Sequence, residues 1–137
     1  GVRFDERLVL RADLTASGGE HALEEKLELD PLPTALFVSN NMMTLGVLTA
    51  LGRTKLRVPE ELSLIGFDDQ AWYSVFNPPL TAVSNPAFEM GQVAADRLLA
   101  AMGGAHAGSA QRVLLNCDLV VRASTGAPGS RSRRRAG

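Results

Sequence analysis

Leu62-Ser63-Leu64-Ile65-Gly66-Phe67-Asp68-Asp69 is an apolar run that stops abruptly on two adjacent carboxylates. A run of this kind reads as a strand buried on both faces, and the carboxyl end of such a strand is where open parallel sheets seat their ligands. The stretch therefore points to an α/β domain that binds a small molecule.

Working back from it, Thr34 to Ser39 reads as a second strand. Asn40-Asn41 turns that strand into a helix that runs to Leu51 and stops at Gly52, with Asn41 as its cap. Met42, Met43, Leu45, Val47, Leu48 and Leu51 make this helix apolar nearly all round, so either it is central or its outer side meets another chain. Further back, Leu8-Val9-Leu10 reads as a short strand ending near Asp13. Thr15-Ala16-Ser17-Gly18 then opens a helix through about Leu29, with Leu23 and Leu27 as its buried stripe and Asp30-Pro31 as its stop.

Working forward, Asn77-Pro78-Pro79 leads to a short strand at Thr81-Ala82-Val83. A long helix from about Pro86 to Met102 follows, with Phe88, Gly91, Ala95, Leu98, Leu99 and Met102 on one face. Gly103 to Ser109 reads as a loop, and Arg112 to Leu115 and Leu119 to Arg122 as closing strands. Strands alternating with helices give a parallel sheet flanked by helices, joined by right-handed crossovers. On that sheet Asp13, Asn40, Asp68 and Asn85 each fall just past the carboxyl end of a different strand. Short acceptor-rich side chains on one rim suit hydroxyls or ring nitrogens, although each alone also suits a helix cap or a turn.

With 137 residues and 45% hydrophobic content, the chain has material for one domain and too little for two. Its formal charge of −1 conceals an asymmetry: Arg131, Arg133, Arg134 and Arg135 crowd the last seven residues and leave an acidic body. That body repels phosphate, which argues against nucleic-acid binding through the folded part; the basic tail reads as a solvated terminus, with nucleic-acid contact as the alternative. Cys117 is the single cysteine, so no internal disulfide can form. Neither an export leader nor a membrane-spanning run is apparent, which gives a cytoplasmic expectation.

Four segments resemble, in order and spacing, the effector domain of the LacI/GalR family of bacterial transcription regulators. They are Pro33-Thr34-Ala35-Leu36-Phe37-Val38-Ser39-Asn40-Asn41-Met42-Met43-Thr44-Leu45-Gly46, then Leu56 to Asp69 with its Val58-Pro59-Glu60-Glu61, then Asn77-Pro78-Pro79-Leu80-Thr81-Ala82-Val83, and finally Asp118-Leu119-Val120-Val121-Arg122-Ala123-Ser124-Thr125. The resemblance covers Leu8 to Thr125. It implies one lobe plus the crossover segments of a type I periplasmic-binding-protein-like fold, in which two α/β lobes close on a ligand. It also implies a homodimer, a sugar-like small-molecule effector, and operator DNA read only through a helix-turn-helix absent from these 137 residues. Residues 1–125 would then form a partial effector-binding and dimerisation domain, and residues 126–137 a disordered basic tail.

Carried over position by position, the resemblance makes Asp68 the effector-binding aspartate, Asn40 a polar effector contact, and Asn85 a contact often supplied by Gln. Leu14 stands where many members place an aromatic ring, and it cannot stack on a ligand. Asp13 shares that rim, and Trp72 either lines the cleft mouth or packs beneath it. Asn41 replaces a common Asp, and Thr44 a common Ala. The apolar helix and the segment before the double proline match the family's dimer contacts: Leu45 and Phe76 at matching positions, with Met42, Leu48 and Tyr73 as neighbours. The face carrying Phe88, Leu98, Leu99 and Met102 packs in the other lobe of intact members and is expected to lie bare here, favouring self-association.

Other chemistries find little support. Asp68 and Asp69 point to opposite faces if the strand stays extended, and no serine or cysteine has a nucleophile's setting. His21, His106 and Cys117 lack ligand spacing for a metal, and no glycine pattern cradles a phosphate, so neither an enzyme nor a cofactor is indicated. The competing class is a transport binding protein of the same fold, which an export leader would mark. The apolar helix and the Leu119-to-Thr125 ending favour the regulator.

Overall fold

A computed structural model describes residues 3–29, 32–103 and 112–128. The ladder forms where the apolar runs predict it: β1 (Ala35–Phe37), β2 (Ser63–Phe67) and β3 (Thr81–Ser84) lie side by side and parallel. The fourth strand, β4 (Asp118–Val120), departs from the all-parallel expectation and runs antiparallel to β3, with Ser84 opposite Asp118. β2 holds the centre because Ser63, Leu64 and Gly66 are buried, whereas edge strand β1 exposes Ala35 and Phe37. The core gathers Leu64, Leu80, Ala82 and Tyr73 from the sheet and its loops with Met43, Val47, Leu48 and Leu51 from one helix.

That helix is α2 (Asn41–Gly52), preceded in the chain by α1 (Ala16–Lys26). Thr15 caps α1, its hydroxyl accepting from the Gly18 N–H at 3.0 Å, as the Thr-Ala-Ser-Gly start suggests. The two helices meet backbone to backbone: a Cβ on Gly46 would overlap the Ala16 carbonyl, and one on Gly19 would overlap Met43. Leu23 is buried at this contact and Leu27 packs at its edge.

Several expectations change. Leu8-Val9-Leu10 is no strand; Glu6–Leu8 forms a 3₁₀ turn, in which Leu8 and Val9 donate to the carbonyls of Asp5 and Glu6 at 3.0 Å. Its backbone groups are met locally, and no described strand lies beside it to draw it into a ladder. Arg112 to Leu115 is likewise irregular, and all but Leu115 are exposed. The stop at Asp30-Pro31, the loop from Gly104 to Ser109 with His106, and the basic residues from Arg131 onward lie outside the described residues. α3 (Ala87–Met102) forms as its period predicts, yet buries none of its residues.

Candidate functional site

The carboxyl ends of β1, β2 and β3 lie next to one another, about 4.8 Å apart from strand to strand. Asp68 follows β2 directly. Its N–H extends the ladder to the Val83 carbonyl at 3.0 Å, and its backbone then turns left-handed at φ 63°. A non-glycine residue in that region costs about 1–2 kcal/mol and persists only where its surroundings over-determine it. Here they do. Asn85, directly after β3, donates its side-chain amide to Asp68 Oδ1 at 2.7 Å. Tyr73, wholly buried, donates its hydroxyl to the carbonyl of Phe67 at 3.1 Å. Gly66 admits that tyrosine ring, since a Cβ there would lie 2.6 Å from it.

Asn40 follows β1 and serves as a double clamp. Its Oδ1 accepts from the Met43 N–H at 2.7 Å, and its Nδ2 donates to the Leu14 carbonyl at 3.1 Å. Asn40 is therefore the cap of α2, and Asn41, expected to be the cap, is its first helical residue. The hydroxyl of buried Thr44 donates to the Asn40 carbonyl at 2.8 Å, a bond that an alanine would not make. The clamp reaches the 13–15 turn, which is not the end of a strand as expected. Leu14 adopts φ 67° there with an exposed side chain. Asp13 Oδ1 accepts from the Thr15 hydroxyl at 2.7 Å and from the Thr15 N–H at 3.1 Å, and these bonds, the hydroxyl's first, hold its carboxyl below the ordinary aspartate range.

The expected rim residues thus fall into two linked sets. Asp68 and Asn85 touch directly across β2 and β3. Asn40 joins the 13–15 turn to α2, with both ends of its carboxamide engaged within the chain. Trp72, partly buried, packs against the core and lies edge-on to Tyr73 with ring centroids 4.4 Å apart. Of the side chains expected at a partner's surface, Met42 and Leu45 are 49% and 44% exposed, and Phe76 packs partly against the core. Leu48 and Tyr73, 7% and 0% exposed, belong to the core and leave a partner almost no surface to meet.

The roles of two residues, Arg122 and Ser124, escaped the sequence reading. Asp69 turns away from Asp68 and forms a two-pronged pair with Arg122, at 2.7 and 2.8 Å. The Arg122 guanidinium also donates to the Leu80 carbonyl at 2.7 Å, and the hydrogen bond to Asp69 raises its pKa further. An arginine closing the apolar Leu119-Val120-Val121 run, opposite a chain with paired aspartates, was the available signal. The other is Ser124, fully buried, whose hydroxyl donates to the Leu64 carbonyl at 2.6 Å and accepts from the Thr81 N–H at 2.8 Å.

A mostly parallel sheet whose carboxyl rim carries a preset carboxylate and carboxamide has the make-up of an α/β ligand-binding lobe. The chain belongs to the periplasmic binding protein-like domain family, whose model matches residues 1–125. Its curated relatives are LacI-family transcription repressors. The HTH-type transcriptional repressor CytR of Escherichia coli (strain K12) is 40% identical over 125 residues, which are 91% of this chain and 36% of that protein. Among solved structures, the transcriptional regulator CelR–cellobiose complex superposes with a TM-score of 0.83 at 33% identity, over 90% of this chain and 38% of that one. The dimeric Lac repressor with an 11-residue C-terminal deletion gives 0.73 at 34% identity, over 86% and 43%. The chain therefore spans little more than a third of CytR and less than half of either structure.

Proposed function

We propose that this chain is the effector-binding and dimerisation portion of a LacI-type transcription regulator that responds to a sugar or a related small polar metabolite. The observation that carries the reading is the Asp68–Asn85 pair: a carboxylate held in a strained backbone conformation at the end of the central strand, bonded to a carboxamide at the end of the next. Among the described residues Asp68 Oδ1 has one side-chain donor, and an ionised carboxylate can accept several, so hydroxyl groups of a polyol can bond to the same side chain. CelR holds cellobiose in the complex that this chain superposes on, which supports a sugar as the class of effector.

Operator DNA would be read by a segment other than the folded body, whose acidic balance suits no phosphate backbone. Dimerisation would use the exposed Met42 and Leu45 of α2 with Phe76 beside them. A bacterial cytoplasmic location follows from the regulator reading; among the described residues no helix is long and apolar enough to cross a membrane.

The test is a titration of the isotope-labelled chain with ribose and with cellobiose, followed by NMR. The expected result is saturable shifts of the Asp68 N–H and the Asn85 side-chain amide, with midpoints of about 1–100 mM, an affinity of a few kcal/mol. Shifts that are absent at Asp68 and Asn85 for every sugar, with the fold intact, would overturn the sensor reading.

A further inference from the structure

Asp68 and Asp69 are adjacent, yet their carboxylates leave in different directions, and each has its own partner. Asp68 goes to Asn85, just past β3. Asp69 goes to Arg122, just past β4, whose guanidinium is also fastened to the Leu80 carbonyl at the start of β3. In the ladder Val83, not Leu80, is the partner of Phe67, so the Asp69 carboxylate, sharing a guanidinium with the Leu80 carbonyl, lies back along the sheet. The chain must therefore reverse at the residue between the ladder and Asp69, which is Asp68 with φ 63°. Arg122 is itself fixed, because its N–H donates to the Thr81 hydroxyl at 3.0 Å. The pair is largely shielded, with side chains 19% and 16% exposed, and its fork geometry holds a direction as well as a charge.

We propose that Arg122 is a positioning residue for the effector site: by gripping Asp69 it sets the reversal at Asp68 and aims the Asp68 carboxylate at Asn85 and at the ligand. The proposal rests on the reading of Asp68 as the effector contact, but its first consequence is visible without ligand. A lysine can keep the charge at this position, yet it lacks the planar fork and so cannot hold Asp69 and Leu80 in the same geometry.

The experiment compares the ligand-free chain with its Arg122→Met, Arg122→Lys and Asp69→Asn variants by amide exchange and by the Asn85 side-chain NMR signal. In Arg122→Met, exchange at Asp68 rises roughly tenfold or more relative to Leu64, as for a local opening rather than a global one. The Asn85 amide signal moves towards that of a free carboxamide, and Arg122→Lys recovers part of both changes. If exchange at Leu64 rises as much as at Asp68, Arg122 acts on stability alone and the proposal fails. It fails equally if Asp68 and Asn85 are unmoved. Should Arg122→Met not fold, Asp69→Asn, which keeps size and shape, carries the same comparison. A wild-type chain that ignores sugars while its variants behave as described would sink the sensor reading and leave the positioning role intact.

Discussion

The hydroxyl of Ser124 bonds to the Leu64 carbonyl and the Thr81 N–H, and the Ser124 carbonyl accepts from the Leu64 N–H at 2.8 Å. One residue thus closes the lower ends of β2 and β3, where the two strands do not pair with each other. Ser124→Ala would leave two buried backbone groups without a partner, and urea unfolding should show a loss of about 2–3 kcal/mol. A loss under about 0.5 kcal/mol would mean that water or a backbone shift replaces the hydroxyl. Asp68 and Asn85 were legible because each follows its own strand directly, so a local pattern locates them. Arg122 and Ser124 were not, because their partners lie 53 and 60 residues away and only the register of the folded sheet brings them together. Asn40 was legible as a polar rim residue, while its use as a cap depends on a backbone dihedral that two neighbouring asparagines both permit.

Helices α1, α2 and α3 were readable from their caps and apolar spacing, and the ends of α2 and α3 agree with the structure to within a residue. Strands were readable where both faces are buried, as in β2. Where a short apolar run has no neighbour to pair with, as at Leu8 to Leu10, composition cannot distinguish a strand from a turn, and the turn wins. The contact of α1 with α2 depends on glycines whose spacing carried no obvious message. Gly46→Ala would push a methyl group into the Ala16 carbonyl of α1, and backbone cannot step aside as a long side chain can. Thermal unfolding should register about 1–3 kcal/mol of destabilisation, since overpacking outweighs the better helix propensity of alanine. A stabilised Gly46→Ala chain would show that the two helices separate easily. The ion pairs of Arg53 with Glu20 and Glu24 cross the same contact at the surface and contribute little beside it.

At the scale of the molecule, apolar residues stand open on two of the helices. One is α2, with Met42 and Leu45 on its outer side; the other is α3, where Phe88, Leu98, Leu99 and Met102 are exposed as the bare face anticipated from the sequence. The proposed dimer uses the first. Light scattering on Leu45→Glu should report a monomer, since Leu45 is already half in solvent and a carboxylate there enters no core. The same substitution at Leu98 should leave the dimer in place. If only the Leu98→Glu chain becomes monomeric, association runs through α3 and the α2 interface is wrong.

The position of Ser124 also bears on how the molecule is made. Synthesis proceeds from the amino end, so β2 and β3 leave the ribosome while the groups they will bond to at their lower ends are still untranslated. The helices can dock and the upper rungs can zip, but the lower ends of β2 and β3 stay open to water until the segment carrying Ser124 threads in. A nascent chain halted before Ser124 should accordingly remain easy prey for proteases, and resistance should arrive in one step when that residue emerges.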